Sequence, residues 1–415
     1  MRALQRALRA VDTPVALRLW DGTTATAGAP GPGAFTIVLR SAAACRRLLL
    51  RPTALAFGEA FIAGAVDVEG DLFAAMRALH ALRDRPWGVP AWPRPWRPSA
   101  RRGAQAIAYH YDLSNAFYEL FLDRRLVYTC AYYRDPDADL DQAQADKLDL
   151  VCRKLHLAPG ERLLDLGCGW GALVVWAAAH YGVRAHGVTL SAAQAAWAQT
   201  AIRRAGLSDR ARVEHADYRS LGGAARFEKI AAVGLIEHVG FAAYPAYFAQ
   251  VHELLVPDGI FLNHGITNRH GGRRTSESAF LQRHVFPGAQ IPSVTHLQHA
   301  MEAADLEVLD VENWRPHYAR TTRTWAERLH ARRSEAVALV GERTYRTWLG
   351  YLAAASVAFE AGWIALHQIV GVRRRAGTMV PWTREAVYTG AAEVPARRRP
   401  ANGGWRGASR HRQPP

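Results

Sequence analysis

Three glycines follow an apolar strand that ends in an aspartate. In the segment ERLLDLGCGWGALVVWAAAHYG, Asp165 closes the strand and an alanine-rich helix follows the loop. The loop contains Gly167, Gly169 and Gly171. Glycines let the backbone turn sharply and approach a ligand closely, and the first N–H groups of the helix then face that ligand. The segment predicts a nucleotide-type site, although dinucleotide binders and ordinary tight turns share the glycine pattern.

The strands that follow narrow the type of ligand. A dinucleotide site needs a third glycine at a set spacing and an acidic residue after the second strand, and the sequence has neither. The strand VRAHGVTLS leads instead into Thr189, Ser191 and Gln194, and a third strand leads to Asp217. Two aspartates so placed suit S-adenosylmethionine, with one near the amino acid moiety and the other accepting from the adenine amine. The alternative for Asp165 is a helix cap.

Many further segments match one family in the same order, over nearly all of residues 10–375. They are HYDLSNAFYELFLD (110–123), YTCAYY (128–133), LLDLGCGWG (163–171), VTLSAAQ (188–194), DYRSL (217–221), GLIEHVG (234–240), NHGIT (263–267), FLQRHVFPGAQIPS (280–293), HYARTTRTW (317–325) and RTWLGYLAAASVAFEAGW (346–363). The chain resembles the cyclopropane-fatty-acyl-phospholipid synthases, a group that includes mycolic acid cyclopropane synthases and related fatty-acyl methyltransferases.

This resemblance implies a reaction and a cofactor site. The methyl carbon of S-adenosylmethionine is added across a cis double bond of an acyl chain in a phospholipid, which gives a cyclopropane ring. An alkene is a weak nucleophile, so alignment and exclusion of water matter most. The expected cofactor residues are Tyr128, Thr129, Asp165, Gly167, Gly169, Gly171, Thr189, Leu190, Gln194, Asp217 and Tyr218.

The resemblance also implies a bound bicarbonate ion, which takes a proton from the transferred methyl group. Its expected holders are Cys130, Glu237 with the neighbouring His238, His264, the backbone of Ile266, and Tyr318. Glu237 and bicarbonate have like charges, so they would share a proton or the glutamate would be neutral. Each residue also has a plain structural role open to it: Cys130 as a buried thiol, His264 as a core histidine and Glu237 as a helix cap.

Aromatic side chains are expected to line the cleft, because ring faces favour a passing cation without reacting with it. The candidates are Tyr128, Tyr132, Tyr133, Tyr247, Phe280 and Phe286. One position departs from the family: many members have a cysteine in the late helix where this chain has Ala355, followed by Ser356. A thiol role at that position is therefore not available here.

The elements that must position these residues form four segments. Residues 1–82 are expected to form a small α+β unit, with strands over 15–40 and a mixed helical pattern from about 41 to 82 that includes the amphipathic stretches LRSAAACRRLLL and LFAAMRALHAL. Residues 83–104 form a Pro/Trp/Arg linker, whose tryptophans suit either a bilayer interface or docking on a neighbouring domain. Residues 105–375 alternate strands and helices, which predicts the α/β class with a mostly parallel sheet. The resemblance implies that this is a Rossmann-like class I methyltransferase sheet with helices on both faces. Residues 376–415 are expected to be a disordered basic tail.

Composition and charge bear on partners and location. The chain has 415 residues, 49% of them hydrophobic, and a net charge of +15. We expect a cytoplasmic protein at the inner membrane face, peripherally bound to an anionic phospholipid bilayer, with a homodimer possible. A GC-rich genome that favours arginine explains the charge equally well. Nucleic-acid binding is not expected, since no finger, helix-turn-helix or aromatic RNA motif occurs. A methyl-branched product and N-methylation of a small amine remain alternatives.

Overall fold

A computed structural model describes residues 14–28, 31, 33–50, 53–81, 113–222, 227–269, 276–286, 288–373 and 381–389. The predicted linker at 83–104 therefore lies outside the described residues. No helix in the described ranges combines the length and the apolar character that crossing a bilayer requires.

Among the described residues, the amino-terminal unit has a four-stranded sheet and three helices. Its elements are β1 (Val15–Arg18), β2 (Thr24–Ala27), β3 (Phe35–Leu39), α1 (Ala42–Leu50), α2 (Ala54–Ile62), β4 (Val66–Gly70) and α3 (Leu72–Ala81). The strand order is β2-β1-β3-β4. The strands expected over residues 15–40 are confirmed. Both amphipathic stretches expected between residues 41 and 82 contain helices, and between them the structure adds β4, which pairs antiparallel with β3 and buries Val66 completely. Its short VDVEG alternation lies between two helical patterns.

The second unit contains a seven-stranded sheet. Its strands are β5 (Arg162–Leu166), β6 (Arg184–Thr189), β7 (Ala211–His215), β8 (Phe227–Val233), β9 (Leu255–Asn268), β10 (Leu306–Asn313) and β11 (Ile364–Arg373). The spatial order is β10-β11-β9-β8-β5-β6-β7. Strands β5 to β9 are parallel, and β11 lies antiparallel between β9 and β10. The predicted fold class is confirmed.

Helices cover both faces of this sheet. They are α4 (Asn115–Glu119), α5 (Leu140–Lys154), α6 (Ala172–Tyr181), α7 (Ala192–Arg204), α8 (Ile236–Val239), α9 (Tyr244–Leu254), α10 (Ser276–His284), α11 (Val294–Glu302), α12 (Arg315–Ala331), α13 (Arg333–Glu360) and α14 (Glu385–Thr389), with 3-10 turns at Tyr218–Ser220 and Phe241–Ala243. Helices α5, α6 and α7 share one hydrophobic core with the sheet, and α9 and α11 share another on the opposite face.

Helix α13 joins the two units. Its Arg346 is buried and donates to the carbonyl of Phe61 at 3.2 Å and to the carboxylate of Asp67 at 3.1 Å. A buried guanidinium without such acceptors would be costly, so this contact fixes the helix against the amino-terminal sheet.

Part of the expected disordered tail is ordered. Val387 in α14 is buried, and its carbonyl accepts from the guanidinium of Arg153 in α5. The Tyr388 hydroxyl donates to Glu312 at 3.0 Å. These contacts explain why residues 381–389 pack on the sheet despite the basic composition around them. Residues 390–415 lie outside the described part of the chain.

Candidate active site

The glycine loop between β5 and α6 turns in the left-handed region of backbone space. Gly167 has a φ of 73° and Gly171 a φ of 80°. A Cβ on Gly171 would lie 2.8 Å from the Cβ of Ala198 in α7. Since L side chains rarely adopt this conformation and the space is already filled, a glycine is required there. The loop can therefore run close to whatever occupies the space beside it.

A cavity of about 150 Å³ lies beside this loop, at the carboxyl ends of β5, β6 and β8. Ligands of open parallel sheets bind at this edge, where the strand order reverses. Its wall includes the predicted cofactor residues Tyr128, Thr129, Asp165, Gly167, Gly169, Thr189, Leu190 and Gln194. The structure thus brings most of the predicted cofactor set around one space.

Three predicted cofactor residues do not line this cavity. Gly171 is the N-cap residue of α6. The carboxylate of Asp217 is held by Arg219 at 3.0 Å, and this pairing lowers the pKa of Asp217. The ring of Tyr218 packs edge-on against Tyr247 at 5.6 Å. An adenine contact by Asp217 therefore stays a prediction, and it would compete with the ion pair to Arg219.

Asp165 is the buried acceptor of the cavity wall. Its Oδ1 has no hydrogen-bond partner within the described ranges. Burial raises the pKa of Asp165 to about 7, and the nearby Lys147 ammonium opposes that shift. A buried carboxylate oxygen facing a cavity suits the ammonium group of an amino acid moiety. These features fit S-adenosylmethionine better than a helix cap alone.

Lys147 is a site residue that the sequence analysis missed. It lies on α5, is buried, lines the cavity and donates to the hydroxyl of Thr129 at 3.0 Å. Burial lowers the pKa of Lys147 to about 8, while Asp123, Cys130 and Asp165 raise it. A signal existed in the sequence: the chain has 49 arginines and only three lysines, so each lysine occupies a position where arginine was not used.

Glu237 lies at the start of α8, directly after β8. Its Oε1 accepts from the backbone N–H of Ile266 in β9 at 2.5 Å, whereas its Oε2 is buried and has no partner among the described residues. Burial raises the pKa of Glu237 to about 7, and the Ile266 N–H lowers it. The next residue, His238, lines the cavity, and burial lowers its pKa to about 4. Glu237 is therefore a buried group that can change protonation state near neutral pH.

His264 lies two residues before Ile266 on the same strand. Its Nδ1 is 3.0 Å from the amide nitrogen of Gln368 in β11, and its Nε2 is buried without a partner in the described structure. Burial lowers the pKa of His264 well below its usual range, as do the ammonium groups of Lys147 and Lys154. The imidazole is neutral at physiological pH.

Cys130 lies against helix α12, which carries Tyr318. Cys130 is fully buried, its thiol donates to the carbonyl of Ala131 at 3.1 Å, and burial raises its pKa. The N–H of Ala131 donates to Thr321, one turn beyond Tyr318 on α12. Tyr318 packs on Phe359 with ring centroids 4.6 Å apart. The thiol is protonated, so it can line a site and cannot act there as a thiolate nucleophile.

The five predicted holders of an anion thus form two groups in the structure. His264 and Ile266 lie on β9, to which Glu237 is bonded, whereas Tyr318 lies on α12 and Cys130 is next to Ala131, whose N–H donates to that helix. Glu237 and Ile266 are joined by a direct hydrogen bond. Whether the two groups share one ligand stays a prediction.

The predicted aromatic lining is divided between the cavity and the packing around it. Tyr128 lines the cavity, and its hydroxyl lies 3.5 Å from that of Tyr351, which the sequence analysis missed. Burial raises the pKa of Tyr351 to about 12, with Glu237 adding to the shift. Phe286 contacts Tyr351 at 5.5 Å and His238 at 5.7 Å between ring centroids. A row of rings therefore extends from the cavity wall toward Glu237.

The remaining candidate aromatics pack elsewhere. Tyr132 and Tyr133 contact His317 on α12. Tyr247 is a residue of α9 and packs into the core between that helix and the sheet. Phe280 packs against Gly58 in α2. At the position where family members have cysteine, Ala355 is half-buried, and the hydroxyl of Ser356 donates to the carbonyl of Ala319 at 3.0 Å. The hydrogen bond of Ser356 therefore joins α13 to α12.

Comparisons with known proteins agree with this geometry. A family model described as mycolic acid cyclopropane synthetase matches residues 99–369, and a domain of unknown function matches residues 4–84. A protein named "Probable fatty acid methyltransferase" from Pseudomonas putida is 41% identical over 93% of this chain and 99% of its own length.

Solved structures extend the likeness to three dimensions. The cyclopropane synthase MmaA2 from Mycobacterium tuberculosis has a TM-score of 0.62 and 35% identity, over 66% of this chain and 98% of its own. The mycolic acid cyclopropane synthase CmaA1, solved with S-adenosylhomocysteine and CTAB, has a TM-score of 0.61 and 34% identity, over 67% of this chain and 99% of its own.

Proposed function

The chain belongs to the mycolic acid cyclopropane synthetase family and is an S-adenosylmethionine-dependent methyltransferase, and we propose that it converts cis double bonds of phospholipid acyl chains to cyclopropane rings. In this proposal a bound bicarbonate is the base. The observation that carries it is the state of Glu237, whose one carboxylate oxygen is fixed to β9 and whose other is buried without a partner in the described residues.

Buried polar atoms without partners support an additional polar ligand. Each such atom costs about 1–3 kcal/mol unless a ligand satisfies it. The Nε2 of His264 and the Oε2 of Glu237 are both of this kind, and they come from one strand and the helix bonded to it. A bicarbonate ion has both acceptors and an O–H donor, so it fits a histidine N–H together with a carboxylate.

The residues around the cavity hold the reactants. When bound, S-adenosylmethionine supplies an electrophilic methyl group on a sulfonium. Asp165 would hold its ammonium group, and Lys147 keeps Thr129 in place. Tyr128 lines the same cavity, where an aromatic ring would favour the positive charge of the sulfonium. The π pair of the alkene forms the new C–C bond as the C–S bond breaks, which leaves S-adenosylhomocysteine and a carbocation. The apolar, buried surroundings keep water from that carbocation.

Ring closure needs removal of one proton. Bicarbonate would accept a proton from the transferred methyl group, and the released electron pair closes the ring. Overall, alkene and S-adenosylmethionine give cyclopropane, S-adenosylhomocysteine and H⁺. Glu237 near bicarbonate is a like charge, and such a pair raises the proton affinity of its members. The chain's own contribution is thus to make a weak base stronger and to point it at the substrate.

A branched product is the second candidate, because the Pseudomonas putida relative is named a fatty acid methyltransferase without reference to a ring. In the same carbocation, a 1,2-hydride shift moves the positive charge to the carbon that bears the new methyl group, and loss of a proton from that methyl group then gives a methylene-branched chain. A saturated methyl branch would require a hydride from a separate reductant, such as a reduced nicotinamide or flavin. A methylene-branched chain has the same mass as the ring and retains a double bond.

Mass spectrometry separates these outcomes. The full chain is expressed in a host that lacks the activity, and its acyl chains are analysed before and after catalytic hydrogenation. We expect chains one CH₂ heavier than the parent that take up no hydrogen under mild conditions. Uptake of one H₂ by the new chains would establish the methylene branch, and absence of any heavier chain would contradict the lipid substrate.

We also propose that the amino-terminal unit docks on an anionic bilayer at the cytoplasmic face. At the end of α1, Leu50 is 74% exposed and Leu49 54% exposed, with the exposed Arg46 on the preceding turn. Exposed leucines beside a basic residue suit insertion next to anionic headgroups, and each well-placed basic residue adds about 1 kcal/mol. The net charge of +15 supports the same partner.

Sedimentation with vesicles tests this docking. The double variant Leu49→Ser/Leu50→Ser should lose binding to vesicles containing phosphatidylglycerol, and Leu339→Ser, which changes an exposed leucine of α13, should retain it. Equal binding of wild type to neutral and anionic vesicles would refute the charge-based account. The possible homodimer stays a prediction.

A further inference from the structure

We propose that Gln368 and Lys154 are positioning residues that fix His264 in the tautomer with its proton on Nε2, so that this N–H donates to the anion. The role of the anion rests on the proposed function, whereas the tautomer follows from hydrogen-bond chemistry alone. Spacing along the chain does not connect either residue to His264, because each lies about 100 positions from it.

The side chains form one row across three strands. Glu312 of β10 is the register partner of Gln368 in β11, and Gln368 is the register partner of His264 in β9. Facing residues on neighbouring strands have adjacent side chains. Lys154, at the last turn of α5, lies over this row and bonds to both Glu312 and Gln368. The row therefore links the histidine to a fixed charge pair.

The direction of each hydrogen bond follows from what each group can do. An ammonium only donates, so the atom of Gln368 that lies 2.8 Å from Lys154 Nζ must be the carbonyl oxygen Oε1. The amide nitrogen of Gln368 then faces His264, 3.0 Å from Nδ1. An amide N–H₂ only donates, so Nδ1 must accept. In a neutral imidazole the remaining proton is then on Nε2.

The surroundings hold this row rigid and dry. Lys154, Gln368 and His264 are all buried. The ring of Trp314 lies 5.3 Å from Lys154 Nζ and 5.5 Å edge-on from the His264 ring. The carboxylate of Glu312 balances the charge of Lys154. If the side-chain amide of Gln368 rotated by 180°, its N–H₂ group would face the ammonium of Lys154, and two donors would oppose each other. The tautomer is therefore set by a cation that does not itself touch the histidine.

To hold a bicarbonate ion that must act as a base, a neutral His264 serves better than a charged one. An imidazolium would bind bicarbonate more tightly but would lower its proton affinity, because a nearby positive charge favours the anionic form. A neutral Nε2–H orients the anion without adding a full charge. The row thus lets His264 hold bicarbonate while leaving it basic.

The test combines a spectrum with kinetics on the full-length protein. In protein labelled with ¹⁵N-histidine, the His264 resonances are assigned by their loss in His264→Gln. Wild type should show a protonated Nε2 and an unprotonated Nδ1. Gln368→Glu should move the proton to Nδ1 or protonate both nitrogens, because a carboxylate accepts from Nδ1–H. The opposite tautomer in wild type would overturn the proposal without any variant.

Kinetics measure whether the tautomer serves the anion. In Gln368→Met, the bicarbonate concentration for half-maximal rate should rise at least about tenfold, as expected for a lost hydrogen bond to a charged acceptor. Affinity for S-adenosylhomocysteine should not change. The control Gln199→Met removes a glutamine bond to the Val213 carbonyl on the far side of the sheet and should behave as wild type.

The two claims can fail separately. Unchanged bicarbonate dependence in Gln368→Met, with the variant folded and binding S-adenosylhomocysteine, would overturn the positioning role. A wild-type rate that does not depend on bicarbonate would refute the proposal that bicarbonate is the base. In that case the spectrum would still test whether Gln368 and Lys154 set the tautomer of His264.

Discussion

Replacing Glu237 by glutamine should stabilise the protein at pH 8 while abolishing its activity. The carboxylate is buried, and its ordinary pKa of 4.5 is raised to about 7. A raised pKa of an acid means that ionisation is harder in the native state than in the unfolded chain. The stability present below pH 4.5 is therefore lost progressively as the pH rises to about 7. A neutral amide avoids that cost and still accepts from the Ile266 N–H.

The magnitude follows from the interval between the two pKa values. At about 1.4 kcal/mol per pH unit, the interval from 4.5 to about 7 corresponds to about 3 kcal/mol above pH 7. At pH 5 the same linkage leaves less than about 1 kcal/mol. For a chain of this size, about 3 kcal/mol corresponds to a rise in Tm of roughly 3–4 °C.

Thermal unfolding at several pH values is the assay. Glu237→Gln should exceed wild type in Tm at pH 8 by roughly 3–4 °C, and the difference should shrink toward pH 5. The control Glu253→Gln changes an exposed glutamate of α9 and should not show this pH dependence. A variant with lower Tm than wild type at pH 8 would refute the reasoning, because it would mean that the charged form of Glu237 stabilises the fold.

Three further changes test other parts of the molecule. Lys147→Met should raise the pKa of Asp165 above about 7 and weaken S-adenosylhomocysteine binding at pH 7 at least tenfold, as measured by calorimetry. Gly171→Ala should lower the free energy of unfolding by about 1–3 kcal/mol in urea, since its Cβ would lie 2.8 Å from that of Ala198. Arg346→Met should cost about 3 kcal/mol and increase proteolysis within the amino-terminal unit, because its buried acceptors lose their partner.

Local sequence patterns predicted the parts of the site that lie next to one another in the chain. The apolar strand, the glycines and the helix after Asp165 occur within about twenty residues, and the cavity lies beside them. The resemblance to a family added Glu237 and Ile266, which the structure joins by a hydrogen bond across 29 positions.

The sequence analysis missed residues that reach the site from distant elements or that act on it through a second residue. Lys147 and Tyr351 reach the site from helices whose patterns show only which face is buried. Gln368 meets His264 through strand register, which depends on the order of strands in the sheet and not on spacing along the chain. A sequence pattern also cannot show that Asp217 is engaged by Arg219 two residues later.

The most direct test of the account is a crystal structure with S-adenosylhomocysteine and bicarbonate. We expect the anion between α8 and β9, at about 2.7–3.2 Å from the His264 Nε2 and facing the Oε2 of Glu237, with Cys130 and Tyr318 closing the same pocket. An anion bound elsewhere, or these side chains too far apart to reach one ion, would contradict the claim that a trapped base closes the ring.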